Sequence, residues 1–127
     1  MDIPAELKKL NLPKNSYIVV GSGILNTLGI RASKDIDLIV SQEVFDRFFN
    51  EGWEEDNWSD QFVIKKGVFD IGINWYGKNV TQLLEQAQII DGIPYLSLDY
   101  VYDWKKSVGR KKDLNDLKLI DTYLSSK

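Results

Sequence analysis

The sequence predicts an α/β (α+β) domain in which a small β-sheet is flanked by helices. Short runs rich in β-branched and aromatic residues alternate with apolar residues at helical spacing. Glycine, proline and asparagine punctuate the junctions between these runs. The length of 127 residues suits a single domain spanning residues 1–127, and the apolar and charged fractions, 43% and 28%, are those of a soluble globular protein.

The composition excludes several classes of function. There is no cysteine and no histidine, so disulfides, thiolate metal sites, zinc–histidine sites and Ser-His-Asp chemistry are excluded, and acid–base work falls to Asp, Glu, Lys or Tyr. The net charge of -3 argues against a dedicated nucleic-acid-binding domain. No apolar run is long enough to span a membrane and the N-terminus lacks a signal-peptide core, so we expect a cytoplasmic protein with no membrane partner.

The first predicted strand, Tyr17–Val20, runs directly into a glycine-rich turn, Gly21-Ser22-Gly23. A short helix follows, and Gly29 fits the residue just past its end. Ser22 therefore lies at a helix N-terminus, where free N–H groups attract phosphate. The turn matches neither nucleotide-binding glycine motif, because Asn26 replaces the third Rossmann glycine and no Gly-Lys-Ser/Thr follows.

A second strand, Asp35–Val40, carries two aspartates on one face. Side chains alternate along a strand, so Asp35 and Asp37 point the same way while the apolar residues between and after them face the core. Two neighbouring carboxylates repel each other. A magnesium ion is the natural compensating charge, since it binds a few carboxylates together with substrate phosphates.

A third strand, Val68–Trp75, repeats this arrangement. Phe69, Ile71 and Trp75 alternate onto the core face, which leaves Asp70 as an isolated acid on the other face. If this strand pairs beside the second, three carboxylates converge. Three acids can hold two metal ions about 3.5–4 Å apart.

Four motifs in this order resemble those of the nucleotidyltransferase superfold of the polymerase-β type. The chain is most similar to the small bacterial minimal nucleotidyltransferases, including AbiEii-type toxins and antibiotic nucleotidyltransferases, over about residues 17–124. The motifs are Gly21-Ser22, the run 29–40 (GIRASKDIDLIV) with its Asp-x-Asp, Asp70, and the C-terminal set Lys105, 109–113 (GRKKD) and Asp116.

The resemblance implies a small mixed sheet with the C-terminal helices packed on it, and a nucleotidyl transfer reaction. It assigns metal binding, as Mg²⁺ or Mn²⁺, and catalysis to Asp35, Asp37 and Asp70. An NTP, with ATP as the expected donor, would give its NMP to an acceptor hydroxyl on a small molecule, a tRNA or a protein, and pyrophosphate would leave. Gly21 and Ser22 would lie beneath the nucleotide.

Basic residues near these motifs have two interpretations. Arg31 either belongs to a solvated loop or contacts phosphate, and the resemblance favours contact. Five basic residues between the last two predicted helices, which include Lys105 and Arg110, are either a solvated helix end or a phosphate-binding patch. Given the three carboxylates, we favour triphosphate contact for Lys105 and Arg110, so the predicted nucleotide-binding residues are Gly21, Ser22, Arg31, Lys105 and Arg110.

The remaining segments are interpreted as structural support. A core-facing helical stripe is predicted at Val44, Phe45, Phe48 and Phe49. The acidic segment 53–60 (WEEDNWSD) is predicted to be a solvated loop or hairpin, or else a lip that stacks on bases or binds a partner. Lys66-Gly67 turns a hairpin, and residues 80–87 form a helix. Residues 88–95 form a short edge strand or an extended segment, with Pro94 limiting its pairing. Ser97 caps the next helix, and the last helix starts near Asp113, either its N-cap or a functional residue, and buries Leu114, Leu117, Ile120 and Leu124.

Two alternatives to catalysis remain open. In the first, the chain is a catalytically inactive nucleotidyltransferase-fold protein that binds nucleotide or a partner. In the second, it is an interaction module of a toxin–antitoxin or defence pair that uses its acidic tryptophan loop, and this role does not exclude catalysis. A homodimer or a cognate protein partner would complete the acceptor pocket, because the sequence contains no separate substrate domain.

Overall fold

The computed structural model describes residues 1–58 and 61–127. Over these residues the chain forms six helices and seven strands, and none of the six helices has the length and apolar character needed to cross a membrane. In chain order the elements are α1 (Ile3–Lys8), β1 (Tyr17–Val20), α2 (Gly23–Thr27), β2 (Ile36–Val40), α3 (Gln42–Asn50), β3 (Glu54–Trp58), β4 (Gln61–Lys66), β5 (Phe69–Gly72), α4 (Val80–Leu84), β6 (Ala87–Ile90), β7 (Ile93–Leu96), α5 (Leu98–Val108) and α6 (Lys111–Ser125).

All the described strands belong to one mixed sheet, ordered β3-β4-β5-β2-β1-β7-β6 and flanked by helices. Four neighbouring pairs are antiparallel, and two are parallel: β2 with β5, and β1 with β7. The predicted mixed sheet is confirmed. The pairing of β2 with β5, on which the convergence of the carboxylates depends, is also confirmed.

The centre of the sheet is buried on both faces. Ile36, Leu38 and Val40 of β2 are in the core as expected, and Ile39 on the opposite face is equally inaccessible. Helices therefore cover both sides of the strand beyond its first residues. Asp37 is only partly buried because it lies near the open end of β2.

The hairpin predicted around Lys66-Gly67 is present as β4 and β5, and Gly67 has a left-handed φ of 59°. The strand that carries Asp70 is shorter than expected, because it ends at Gly72 and the chain then bends. Trp75 consequently lies beyond the strand. Most of the predicted acidic loop is an edge strand, β3, paired with β4; its last two residues, Ser59 and Asp60, lie outside the described residues.

The prediction of a single edge strand or extended segment over residues 88–95 is wrong. This segment forms two strands, β6 and β7, joined by Asp91 and Gly92 with φ of 52° and 77°. Both turn residues are left-handed, which is the geometry that matches the twist of a two-residue hairpin. Pro94 does not prevent pairing, and β7 continues into the sheet through the partners Val19 and Tyr95.

The structure confirms the helix over α3 and the cap of α5, where the Ser97 hydroxyl accepts a hydrogen bond from the Tyr100 N–H. One residue of the α3 stripe differs from the prediction. Phe49 is 44% exposed, because it lies at the border of the stripe and contacts Phe62 edge-on, with ring centroids 6.0 Å apart.

The last helix begins two residues before the predicted start, and its predicted buried face is correct at Ile120 but wrong at Leu114 and Leu124. Helix α6 begins at Lys111, and its buried residues are Asp113, Asp116 and Ile120. Leu114 and Leu124 are about half exposed. The acidic side of the helix faces inward because it meets cations of the rest of the chain, as described below.

Candidate functional site

Two of the three carboxylates singled out in the sequence, Asp35 and Asp37, line one cleft of about 950 Å³ together with the predicted phosphate-binding cations. This volume lies in the range of small-molecule sites, about 300–1,000 Å³. The lining comes from the turn after β1, the start of β2, the segment after β5, and helices α5 and α6. It includes Gly21, Ser22, Arg31, Asp35, Asp37, Trp58, Gln61, Asn74, Trp75, Tyr76, Trp104, Lys105, Arg110 and Lys112.

Asp37 and Asp70 are register partners in the parallel pair β2–β5. Directly paired residues lie on the same face of a sheet, so their side chains project to the same side. Asp35 precedes β2 and is exposed. Asp35 and Asp37 line the cleft, whereas Asp70 lies beside Asp37 and outside the lining.

The electrostatics of this group favour a bound cation. Burial, followed by the negative charges of Asp70 and Asp35, raises the pKa of Asp37 to about 7, and Lys112 opposes this shift. Burial and the charges of Asp35 and Asp56 also raise the pKa of Asp70. A cation at these carboxylates would relieve the repulsion that raises both pKa values.

The donor set fits a hard cation. Carboxylate oxygens are the ligands that Mg²⁺ and Mn²⁺ prefer. Among residues 1–58 and 61–127, no three acidic side chains come close enough to form a ligand cluster by themselves. Mg²⁺ is commonly bound through one or two carboxylates plus substrate phosphates, so Asp35 and Asp37 suffice for this mode. Participation of Asp70 as a third ligand stays a prediction.

The turn between β1 and α2 approaches the carboxylates closely. Gly21 has a φ of 65°, and a Cβ at this position would lie 2.9 Å from Oδ2 of Asp37. Only glycine fits both the left-handed backbone and this approach. Ser22 occupies the N-cap of α2 without a side-chain capping bond, so its hydroxyl is not used by the helix. Both residues line the cleft.

The three cations predicted to contact phosphate are brought to the cleft, and each is paired with an aspartate of α6. Arg31 donates two hydrogen bonds to Asp116, of 2.6 and 2.8 Å. Lys105 lies 3.0 Å from Asp116 and 3.4 Å from Asp113 and is 2% exposed. Arg110 donates to Asp113 over 2.6 and 3.1 Å.

This network explains why α6 turns its acidic side inward. Burial disfavours ionised Asp113 and Asp116, but hydrogen bonds and charges of the cations outweigh it and lower the pKa of both carboxyls. Asp113 is not the N-cap. It is the third residue of the helix and accepts the backbone N–H of Arg110, which is the N-cap, over 3.1 Å.

Four aromatic side chains form a wall of the cleft, and we call Trp58, Trp75, Tyr76 and Trp104 the aromatic wall. The Trp75 ring lies at its centre, with centroid distances of 6.0 Å to Trp58, 5.2 Å to Tyr76 and 5.0 Å to Trp104. All three contacts are edge-to-face. The wall adjoins the charged network, because Lys105 Nζ lies 4.9 Å from the Trp104 ring.

The same part of the cleft contains polar atoms that lack partners. Within the described residues, the indole nitrogens of Trp75 and Trp104 and the Oε1 of Gln61 are buried and make no hydrogen bond. The amide nitrogen of Gln61 donates to the carbonyl of Asn74 over 2.6 Å. Unsatisfied buried polar groups are costly and therefore call for an explanation, such as an absent ligand.

Sequence reasoning missed most of this aromatic and polar wall. Trp75 was expected inside a core strand, and Gln61, Tyr76 and Trp104 were not assigned to a site. Trp58 belonged to the segment considered as a base-stacking lip. Lys112 was recognised in the basic cluster without a role. A local signal existed at Tyr76-Gly77, because a glycine after a strand marks a tight turn.

Comparison with known proteins adds no relative: no protein-family model, no curated protein and no solved structure matches this chain. The resemblance to nucleotidyltransferases therefore rests on the four sequence motifs alone.

Proposed function

We propose that the chain adopts a nucleotidyltransferase-type fold and transfers an NMP from an NTP to an acceptor hydroxyl in a metal-dependent reaction, with ATP as the first candidate donor. One observation carries the proposal. Asp37, the register partner of Asp70 in the parallel pair β2–β5, lines the cleft together with Arg31 and Arg110.

The chain's own residues bind and orient the triphosphate. Gly21 and Ser22 line the cleft beside Asp37 and would lie beneath the phosphates. Aspartates of α6 orient the guanidinium groups of Arg31 and Arg110, and each guanidinium has further N–H groups that are not used by these aspartates. Guanidinium groups bind phosphates bidentately. Asp35 and Asp37 would hold Mg²⁺ or Mn²⁺, which supplies charge neutralisation and polarises the phosphate when bound.

The acceptor hydroxyl attacks the α-phosphorus in line. A new bond forms between its oxygen and the phosphorus, the bond from the α-phosphorus to the bridging oxygen breaks, and pyrophosphate leaves. Asp70 takes the hydroxyl proton. Its raised pKa makes it a stronger base than an ordinary carboxylate, and the chain has no histidine for this task.

The test measures Mg²⁺-dependent NTP binding by calorimetry, together with pyrophosphate release in the presence of candidate acceptors. Asp37→Asn keeps the shape of the side chain and removes the charge, so both signals should fall at least tenfold. Asp46→Asn, on the exposed surface of α3, is the matched control and should leave both unchanged. Undiminished pyrophosphate release by Asp37→Asn contradicts the proposal.

Nucleotide binding without catalysis is the second candidate, and the position of Asp70 favours it. Asp70 lies outside the lining of the cleft and is opposite Lys65 in the β4–β5 register. In that case the calorimetric signal persists while no pyrophosphate is released with any acceptor. Asp70→Asn would then leave NTP affinity unchanged.

A further inference from the structure

We propose that the aromatic wall is a nucleobase site. It would hold the base of the NTP itself or the base of the terminal nucleotide of a nucleic-acid acceptor. The choice of ligand rests on the proposed nucleotidyl transfer, and three independent features of the wall support it.

The first feature is the exposure of Tyr76 in a strained backbone. Its side chain is 67% exposed although it belongs to an aromatic cluster. Tyr76 and Gly77 have φ of 50° and 81°, and they form the tip of a turn closed by two backbone hydrogen bonds between Trp75 and Lys78, of 2.9 and 3.1 Å. A left-handed non-glycine residue costs about 1–2 kcal/mol. Packing of the Tyr76 ring offsets little of this free-energy cost, because most of the ring is exposed to water.

The second feature is the set of polar atoms without partners. Trp75 is 7% exposed, and its indole N–H finds no acceptor in the described residues. Gln61 donates from its amide nitrogen to the Asn74 carbonyl, while its buried Oε1 accepts no hydrogen bond from the described residues. These two unpartnered atoms are complementary to a ligand that carries both an acceptor and a donor. Every nucleobase carries both on the edge of a flat ring.

The third feature is the position of the wall relative to the charges. Trp104 touches both parts of the cleft: its ring lies 5.0 Å from Trp75, while Lys105 Nζ and the Arg110 guanidinium carbon lie 4.9 and 5.8 Å from its centroid. A base on the wall is thus adjacent to the cations proposed for the triphosphate. This contiguity favours the base of the NTP over that of an acceptor.

The test compares four probes in the presence of Mg²⁺: ATP, adenosine, a short single-stranded RNA, and inorganic tripolyphosphate, which has the phosphates but no base. Tyr76→Gly removes the ring and relieves the left-handed strain, so the fold is retained. Stacking on one aromatic ring is worth about 1–3 kcal/mol per base, so ATP and adenosine should bind about tenfold more weakly to Tyr76→Gly. Tripolyphosphate affinity should change less than twofold.

Two further variants complete the design. Phe49→Ala removes an exposed aromatic ring outside the cleft and should leave the affinity for all four probes unchanged. Trp75→Phe keeps an aromatic ring and deletes the unpartnered N–H, so adenosine should bind severalfold more weakly while the fold is preserved. Purine NTPs should bind more tightly than pyrimidine NTPs, because the larger ring overlaps more of the wall.

The outcomes separate the two sources of the base and the two proposals. Weakened ATP binding by Tyr76→Gly assigns the wall to the NTP; unchanged ATP binding with tenfold weaker binding of a short single-stranded RNA assigns it to an acceptor. Equal affinity of wild type and Tyr76→Gly for ATP, adenosine and the RNA overturns the nucleobase site. Adenosine binding without any tripolyphosphate binding instead contradicts the proposed transfer and supports the base site.

Discussion

Arg31 and Asp116, 85 positions apart in the chain, are joined by two hydrogen bonds, 2.6 Å from Nε to Oδ1 and 2.8 Å from Nη2 to Oδ2. The contact ties the loop before β2 to helix α6. Asp116 also lies 3.0 Å from the buried Lys105. Asp116 thus orients the Arg31 guanidinium and also neutralises the buried ammonium group of Lys105.

Replacement of Asp116 by asparagine should therefore be strongly destabilising. Breaking a buried ion pair from one side costs roughly 3–5 kcal/mol, because the remaining charge stays buried. Lys105 keeps Asp113 as a partner, so we expect a loss of about 3 kcal/mol in the free energy of unfolding, measured with urea. Asp121→Asn, exposed on the same helix, is the control and should cost less than about 1 kcal/mol. Equal effects of the two variants would contradict the role of Asp116.

Asp37→Asn should raise stability in a pH-dependent way. The folded pKa of Asp37, about 7, lies above the value of an unfolded chain, about 3.9, so the folded state binds the extra proton between these values. The stability of the wild type therefore falls as pH rises through this window, and the asparagine variant avoids this loss. Without Mg²⁺, we expect Tm of Asp37→Asn to exceed that of wild type by several degrees at pH 8 and by much less at pH 4.

The exposed Asp35 provides the control for this measurement, since Asp35→Asn should raise Tm much less. With Mg²⁺ and ATP at pH 8, wild-type Tm should rise and that of Asp37→Asn should not. A Tm difference between wild type and Asp37→Asn that does not depend on pH would show that the carboxylate is not held in a raised-pKa state.

Gly21→Ala should abolish nucleotide binding at a modest cost in stability. The added Cβ would fall 2.9 Å from Oδ2 of Asp37, in a backbone with φ of 65°. Gly67→Ala is a matched control, because Gly67 has a φ of 59° and nothing within 4 Å of the new Cβ. Both variants should lose about 1–2 kcal/mol through the left-handed backbone. Calorimetry with Mg²⁺ and ATP should show lost binding only for Gly21→Ala, and retained binding there would contradict the close approach.

The two faces of α6 give a fourth prediction. Ile120 is fully buried and Leu124, one turn later, is 48% exposed. Ile120→Ala should cost about 2–5 kcal/mol in unfolding free energy, whereas Leu124→Ala should cost well under 1 kcal/mol. The leucine periodicity of the sequence alone predicts similar losses for both, so thermal or urea unfolding of the pair decides which face is buried.

The carboxylate site was predictable because its signals are local. Alternation along a strand fixes the face of Asp37 and Asp70 relative to their neighbours, and both runs are rich in strand-forming residues. The hairpin at Gly67 brings the third strand back beside the sheet. Neither segment contains a signal for the parallel pairing of β2 with β5, so this pairing is known only from the structure.

The elements that were predicted wrongly fall into two groups. In some, two local sequence patterns favour different structures; in others, the structure depends on partners distant in sequence. In α6, leucines and aspartates repeat with the same helical period, and the aspartates are buried because Arg31 and Lys105 come from elsewhere in the chain. In residues 88–95, two sequence rules conflict. Proline disfavours strand pairing, which argued against a second strand at Pro94, whereas Asp91-Gly92 is a hairpin signal, and the hairpin is what forms. The aromatic wall likewise depends on α5 meeting the turn after β5.

The distance along the chain between Arg31 and Asp116 also sets when the cleft can exist. At a synthesis rate of about 5–20 residues per second, Asp116 follows Arg31 by about 4–17 s. During this interval the strands that carry Asp37 and Asp70 can already pair, whereas Arg110 and Lys112, which line the cleft, have not yet been synthesised. A nascent chain at this stage has Arg31 and the three carboxylates but lacks the cations of α5 and α6, so it binds a triphosphate more weakly than the complete chain does.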